Sequence, residues 1–402
     1  MQVLTNFEKL EAGKQQEHYD KQVFDAIIIG SSPILLIEAL YLQSQGKKVA
    51  IFEKKTTLGG AWYTKSLWGL SNVEVGCHYI DKGKNNYNFL KKFMNIELEH
   101  SPRHVRWSSK GKENGTEKKT NLTLKRKIRA FIDSWFSDKL VPRDLWDLYT
   151  SLTKKQIKLV FRSLIQLLRA RPYMYPTQGC RAILDALNEK IEANSIKVFY
   201  GKSIDYLEVN ENESLAVCRA GDKNYLSKDI ITGQNANVDI FVNGKPFKPE
   251  KELYGGPLKL DEGYIHIVFL VAGEKKQPFT YIDLLNTDVI RRVQDVTPFS
   301  KFDPSSNEFD LLICCHVFER SFDKLGGPAG ILSHLIEIDL LKPGARMIDY
   351  HLDKYPTTGC IPNEELFNLE KKLPDSLRIM RTWDLGIAVE YYYDRWLALI
   401  TP

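Results

Sequence analysis

The sequence predicts an α/β fold with a discontinuous dinucleotide-binding domain, and three observations near its start predict it. The first is the apolar run Ala26-Ile27-Ile28-Ile29, long enough for a strand buried on both faces and too short for a helix. The second is the turn Gly30-Ser31-Ser32, leading into Pro33, a favoured first helical residue, and then Ile34, Leu35, Ile37, Leu40 and Tyr41 at helical spacing. A serine is available there as N-cap. The third is a second apolar run, Val49-Ala50-Ile51-Phe52, which follows a helix stop at Gly46 and ends on Glu53, 23 residues after Gly30. This is βαβ spacing. The helix N-terminus offers amides to a pyrophosphate, and Glu53 is placed to accept hydrogen bonds from a ribose. Ser32 and Leu35 stand where the G-x-G-x-x-G fingerprint has glycines. Serine is a mild departure, whereas leucine requires the helix to sit farther from the strand or the phosphate loop to be reshaped. The same strand-turn-helix also occurs without any nucleotide.

Composition bounds the class rather than the function. With 43% hydrophobic and 27% charged residues over 402 positions, a soluble globular chain of two or three domains is expected. The net charge of +5 is modest and comes mostly from one local region, which argues against a nucleic-acid partner. None of the six cysteines shows C-x-x-C spacing, so buried reduced thiols are expected rather than a disulfide framework or a metal site. There is no apolar signal-peptide core and no segment of membrane-span length. A cytoplasmic protein is therefore expected, with peripheral membrane contact and homo-oligomerisation left open.

The rest of the chain extends this frame. Residues 21–100 form the first part of the dinucleotide-binding domain. Residues 101–175 turn basic and then helical, with Phe131, Ile132, Trp135, Leu145, Leu148, Leu164 and Leu168 at helical spacing, and read as an inserted helical subdomain. Residues 176–230 return the chain to the first domain through a helix over 182–193, a strand over 196–200 and a further turn and strand over 201–209. Strand-length runs such as 264–271 and 309–318 then give a mainly antiparallel β substrate domain over 231–375. Within it, Cys314-Cys315-His316 looks metal-like, but consecutive strand residues point to opposite faces, so core packing is expected. Residues 376–402 return as a strand over 377–380 and a helix over 385–399.

Beyond Glu53, the paired Gly59-Gly60 with Ala61 and Trp62 resembles the flavoprotein family that contains amine oxidases, phytoene desaturases and UDP-galactopyranose mutase. Val73-Glu74-Val75-Gly76-Cys77-His78 resembles the G-x-H loop which in that family runs along the isoalloxazine ring. The pieces in order look most like UDP-galactopyranose mutase. The resemblance implies an FAD cofactor held by Gly30, Ser31, Ser32, Pro33, Glu53, Lys54, Gly59, Gly60, Ala61, Trp62, His78, Ile204, Asp384 and Leu385. A helix starting near Asp384 would lend its partial positive charge to the flavin pyrimidine edge. It also implies a small-molecule substrate, a nucleotide sugar, with Arg171 and Lys301 on the diphosphate, Tyr355 of Lys354-Tyr355-Pro356 on the substrate, and His78 and Asp384 beside the flavin. Three positions depart from the mutase pattern: Thr382-Trp383-Asp384 in place of Y-Y-D, Asp81 in place of a histidine, and Ile157 in place of a tryptophan. The resemblance thus implies a mutase-like ring rearrangement in polysaccharide biosynthesis. Two alternatives share the fold: an FAD-dependent oxidoreductase of amine-oxidase or desaturase type, and a non-catalytic binding protein like the Rab GDP-dissociation inhibitor.

Overall fold

The computed structural model describes residues 18–81, 83–101, 104–107, 173–210, 215–233, 238–247, 263–285, 289–300, 309–355, 373–380 and 385–401. The helical insert expected over 101–175 falls almost wholly outside them. The chain divides into two compact units, residues 1–60 with 184–260 and 359–402, and residues 61–183 with 261–358. Residues 61–100, read from the sequence as part of the first domain, cluster in the second unit.

The first unit is built on parallel strands. His18–Ile29 pairs in parallel with Val49–Glu53 on one side and Lys223–Gly233 on the other. Lys197–Tyr200 extends the sheet beyond Val49–Glu53, and Leu377–Met380 pairs in parallel with the end of Lys223–Gly233. All five residues of Val49–Glu53 are buried, the pattern of a parallel strand covered on both faces. On that same edge the first half of Lys223–Gly233 pairs with Ala216–Ala220 in antiparallel fashion, so one edge of the long strand serves two neighbours.

The crossover helix Pro33–Ser44 buries nearly every residue, including Glu38 at 0% exposure. That carboxylate is fully partnered. It accepts from Arg378 Nη1 at 2.9 Å, Arg395 Nη2 at 2.6 Å and Nε at 3.1 Å, and Trp396 Nε1 at 2.8 Å, which ties the C-terminal segment to the helix. The single helix expected over 385–399 is three pieces, Leu385–Tyr391, Tyr393–Trp396 and a 3-10 turn Leu397–Leu399. The break at residue 392 accompanies full burial of Trp396 with its indole N–H on Glu38.

The second unit holds a six-stranded sheet in the order Arg346–Tyr355, Tyr264–Ala272, Leu311–Phe318, Ile290–Asp295, Tyr281–Leu285, His104–Trp107. All neighbours are antiparallel except the last pair, so the mainly antiparallel sheet expected from the sequence is present. One face packs Ile265, Ile267, Phe269, Ile313, Cys315 and Val317 against Ile331, Leu332 and Leu335 of the helix Gly327–Glu337. The other face carries Val268, Leu270, Leu312 and Cys314, covered by Leu70, Val73, Val75 and Cys77. Cys314 and Cys315 therefore do face opposite sides, and no metal-ligating cluster exists among the described residues.

Candidate functional site

In the first unit, the turn after His18–Ile29 and the loop after Val49–Glu53 are tied together. Glu53, 3% exposed, accepts a hydrogen bond from Ser31 Oγ at 2.5 Å and another from the Lys55 amide at 2.8 Å. Gly59 N–H donates to the carbonyl and the hydroxyl of Ser31, both at 3.0 Å, and Lys55 Nζ donates to the Gly60 carbonyl at 2.9 Å. Gly60, at φ +62°, lies so close that a Cβ there would stand 3.1 Å from Ser32 Cα. The paired glycines thus fold over the glycine turn, with no room for a side chain at Gly60.

Two details decide whether a dinucleotide phosphate fits. Ser32 holds the N-cap position, but its hydroxyl makes no capping bond, contrary to the reading of a capping serine. The Ser32 Oγ is buried and has no hydrogen-bond partner, which leaves an unmatched polar group at a helix N-terminus where an anion is favoured. Leu35, 3% exposed, sets its Cδ1 3.4 Å from where a Gly30 Cβ would be. It fills the room that a third glycine would leave, and Gly30 at φ +95° has no side chain to resist it. The residues present fit a pyrophosphate.

In the second unit, the G-x-H spacing has a steric origin. The His78 ring folds back over Gly76, where a Cβ would lie 2.5 Å from Nε2. The ring stacks on Trp62 at 4.6 Å and 16°, and Nε2 pairs with the Ala61 carbonyl at 3.1 Å. Desolvation, with a smaller contribution from the Arg292 charge, lowers its pKa to about 4. His78 is therefore neutral near pH 7 and donates through Nε2–H.

The His78 backbone is anchored by a buried chain of polar groups. Its N–H donates to Gln294 Oε1 at 3.0 Å, and Gln294 also hydrogen-bonds the Tyr175 hydroxyl. Tyr175 donates to Glu74 Oε2 at 2.8 Å, and the Cys180 amide, at the start of the helix Cys180–Ala193, donates to Oε1 at 2.6 Å. Glu74 is 1% exposed, and this burial raises its pKa to about 7 against the opposing effect of those two bonds. Gly179 makes room for the carboxylate, since a Cβ there would fall 2.2 Å from Oε1. Glu74 is not among the site residues expected from the sequence. The signal present in the sequence is a carboxylate flanked by two valines, Val73 and Val75.

The other expected site residues are distributed as follows. Lys54 is exposed, Ile204 lies in the hydrophobic core at 2%, and Leu385 is buried at the start of Leu385–Tyr391. Tyr355 ends the strand Arg346–Tyr355 opposite Tyr264. Arg171, Lys301 and Asp384 lie outside the described residues.

Residues 28–95 match the family described as NAD(P)-binding Rossmann-like domain. No curated protein matches the chain. Solved structures share its fold over nearly its whole length. A putrescine oxidase is 15% identical with a TM-score of 0.59, covering 94% of this chain and 99% of its own. Cyclohexylamine oxidase from Brevibacterium oxydans is 13% identical with a TM-score of 0.59, covering 94% and 98%. An oxidoreductase from Methanosarcina mazei is 18% identical with a TM-score of 0.57, covering 93% and 100%. The chain is thus an α/β protein with a Rossmann-type dinucleotide-binding domain and an antiparallel second sheet. No helix among the described residues is long and apolar enough to cross a membrane.

Proposed function

We propose that this chain binds FAD and acts as a flavin-dependent oxidoreductase on a small organic substrate, with the fold of amine oxidases. The observation that carries the reading is the cradle in the first unit, where a buried, unpartnered Ser32 Oγ and the amides of a helix N-terminus face the closely packed Gly59-Gly60. Ser31 to Pro33 would hold the pyrophosphate, and Glu53 keeps lone pairs for a ribose hydroxyl beyond its two internal bonds. When bound, the flavin supplies a two-electron acceptor for a substrate hydride. His78, neutral and fixed by Trp62, Ala61 and Gln294, is an uncharged polar group of the second unit.

The oxidoreductase reading takes its support over the mutase reading from the named oxidases that share the fold. A mutase acting on a nucleotide sugar would draw on Arg171, Lys301 and Asp384. The deciding measurement is the visible spectrum of protein reconstituted with excess FAD and then desalted, followed by anaerobic titration with candidate substrates. Retained flavin that bleaches with substrate is expected. Colourless protein would favour a non-catalytic binding module, and turnover of UDP-galactose only after dithionite would favour the mutase.

A further inference from the structure

The parallel sheet of the first unit has a second opening, at the ends of its strands remote from the dinucleotide cradle. The cradle lies where His18–Ile29 and Val49–Glu53 end, whereas a crevice of about 580 Å³ at their other ends is lined by Phe24, Gln43, Lys47, Lys48, Ser195 and Lys197. Local chain geometry gathers these residues. The helices Pro33–Ser44 and Cys180–Ala193 both stop here, followed by left-handed residues at Gly46 (φ +76°) and Ser195 (φ +52°). The chain then re-enters the sheet through Lys47 and Lys48 into Val49–Glu53, and at Lys197 into Lys197–Tyr200, which are neighbouring strands.

Three ammonium groups share this opening, and no carboxylate is among the described residues that line it. Lys48 and Lys197 are exposed, and their Nζ atoms stand 5.2 and 6.0 Å from the centre of the ring of buried Phe24. Lys47 Nζ pairs with Asp229 Oδ2 at 2.8 Å. Beside the crevice, Asp25 is held below its ordinary carboxylate range, first by a hydrogen bond from Lys228 and then by the Lys48 amide, with the Lys47 charge adding to the effect. Helix capping does not account for the lysines. Lys48 and Lys197 stand beyond the last helical turn, where the dipole effect has faded, and the carbonyls of Tyr41, Leu42, Gln43, Lys190, Ile191 and Glu192 already accept backbone N–H groups. Like charges gathered at one opening repel, and an anion seated among them offsets that cost. The side chains of Gln43 and Ser195 have no hydrogen-bond partner among the described residues and add further donors to the lining.

We propose that this crevice binds a phosphomonoester, carried by a soluble sugar phosphate or by the headgroup of an acidic lipid, with Lys48 and Lys197 on the phosphate and Gln43 and Ser195 donating to the ligand's remaining oxygens. A phosphomonoester carries a charge of about −1.5 to −2 near pH 7 and three strong acceptor oxygens, which suits ammonium groups on flexible stems. The volume falls in the range of small-molecule sites, roughly 300–1,000 Å³, and leaves room for a polar body beyond the phosphate itself. The site does not depend on the flavin reading, which concerns the opposite ends of the strands.

The test is calorimetric titration of the full chain, saturated with FAD to block the cradle, with inositol trisphosphate and with unphosphorylated inositol. It is paired with flotation on phosphatidylcholine vesicles with and without phosphatidylinositol bisphosphate. Inositol trisphosphate is expected to bind and inositol is not. Lys48→Gln combined with Lys197→Gln is expected to weaken binding at least tenfold, and Lys245→Gln, on the far edge of the same sheet, by less than twofold. Circular dichroism melts check folding, and Lys48→Gln alone replaces the double variant should that melt early. Equal affinity for the soluble probe and the phosphoinositide vesicles identifies a soluble ligand, and preference for the vesicles identifies a lipid headgroup; both support the site. Absence of binding to either, or equal affinity in wild type, the lysine variants and Lys245→Gln, overturns it. The same titration without FAD on Ser32→Ala protein keeps the outcome separate from the flavin reading.

Discussion

Glu74→Gln should change how stability depends on pH, and the size of the change follows from burial. The carboxyl is 1% exposed, and its pKa rises from 4.5 to about 7 on folding, chiefly through desolvation. Below pH 4.5 it is protonated in folded and unfolded chains alike, and its burial carries no ionisation penalty. Between pH 4.5 and 7 the unfolded chain ionises first, the folded chain binds more protons, and stability falls as pH rises. Above pH 7 the whole penalty is present, about 3 kcal/mol at ~1.4 kcal/mol per unit. Glutamine keeps the shape, accepts from the Cys180 amide and cannot ionise. Its own cost, the exchanged bond to Tyr175, is the same at every pH. The stability difference between variant and wild type should therefore move in favour of the variant by about 3 kcal/mol from pH 4.5 to 8. His78 and His266 have lowered pKa values and act in the opposite sense, losing stability as pH falls, but they are common to both proteins and cancel in the difference. Urea denaturation followed by tryptophan fluorescence across this range measures it. A difference that stays constant with pH would falsify the assignment of a buried, late-ionising carboxyl.

Three further outcomes are expected. Ser32→Ala should weaken FAD binding by roughly tenfold, the loss of one hydrogen bond to a charged group, and an unchanged dissociation constant by fluorescence titration would exclude the hydroxyl as a contact. Gly60→Ala places a Cβ 3.1 Å from Ser32 Cα at φ +62°, so it should abolish flavin retention after desalting and lower stability by about 1–2 kcal/mol. Glu38→Ala strands two arginines and an indole N–H and should cost about 2–4 kcal/mol in denaturant unfolding, below the range for fully enclosed pairs because Arg378 and Arg395 are 32% and 35% exposed. A loss under about 0.5 kcal/mol would mean that water replaces the carboxylate.

The parts of the fold that were legible in the sequence are those fixed by local pattern. The strand-turn-helix-strand from Ala26 to Glu53 follows from apolar runs and a glycine turn, although the first strand begins earlier, at His18, and the strand Leu377–Met380 has the bounds its apolar pattern suggested. What the sequence hid depends on partners distant along the chain. Glu74 meets Tyr175 and Cys180 across separations of 101 and 106 residues, and His266 meets His316 only through the register of two antiparallel strands. No window of neighbouring residues carries that information. The mutase resemblance draws on short segments around Arg171, Lys301 and Asp384, which lie outside the described residues.

The departures at Ser32 and Leu35 show how a fingerprint can change while its physical task is kept. Glycine in those positions serves two ends, close backbone approach to phosphate and close packing of helix on strand. Here Leu35 packs directly on Gly30, so helix and strand remain in contact through a side chain rather than through its absence. The approach to phosphate is kept differently: the Ser31 hydroxyl donates to Glu53 and accepts from the Gly59 amide, which pins the loop, while the Ser32 hydroxyl is left buried and unmatched. A chain that had lost its ligand would have no reason to maintain an unmatched hydroxyl at a helix N-terminus, since satisfying or removing it would stabilise the fold. The altered turn therefore argues for a phosphate-bearing ligand more strongly than its distance from the glycine pattern argues against one.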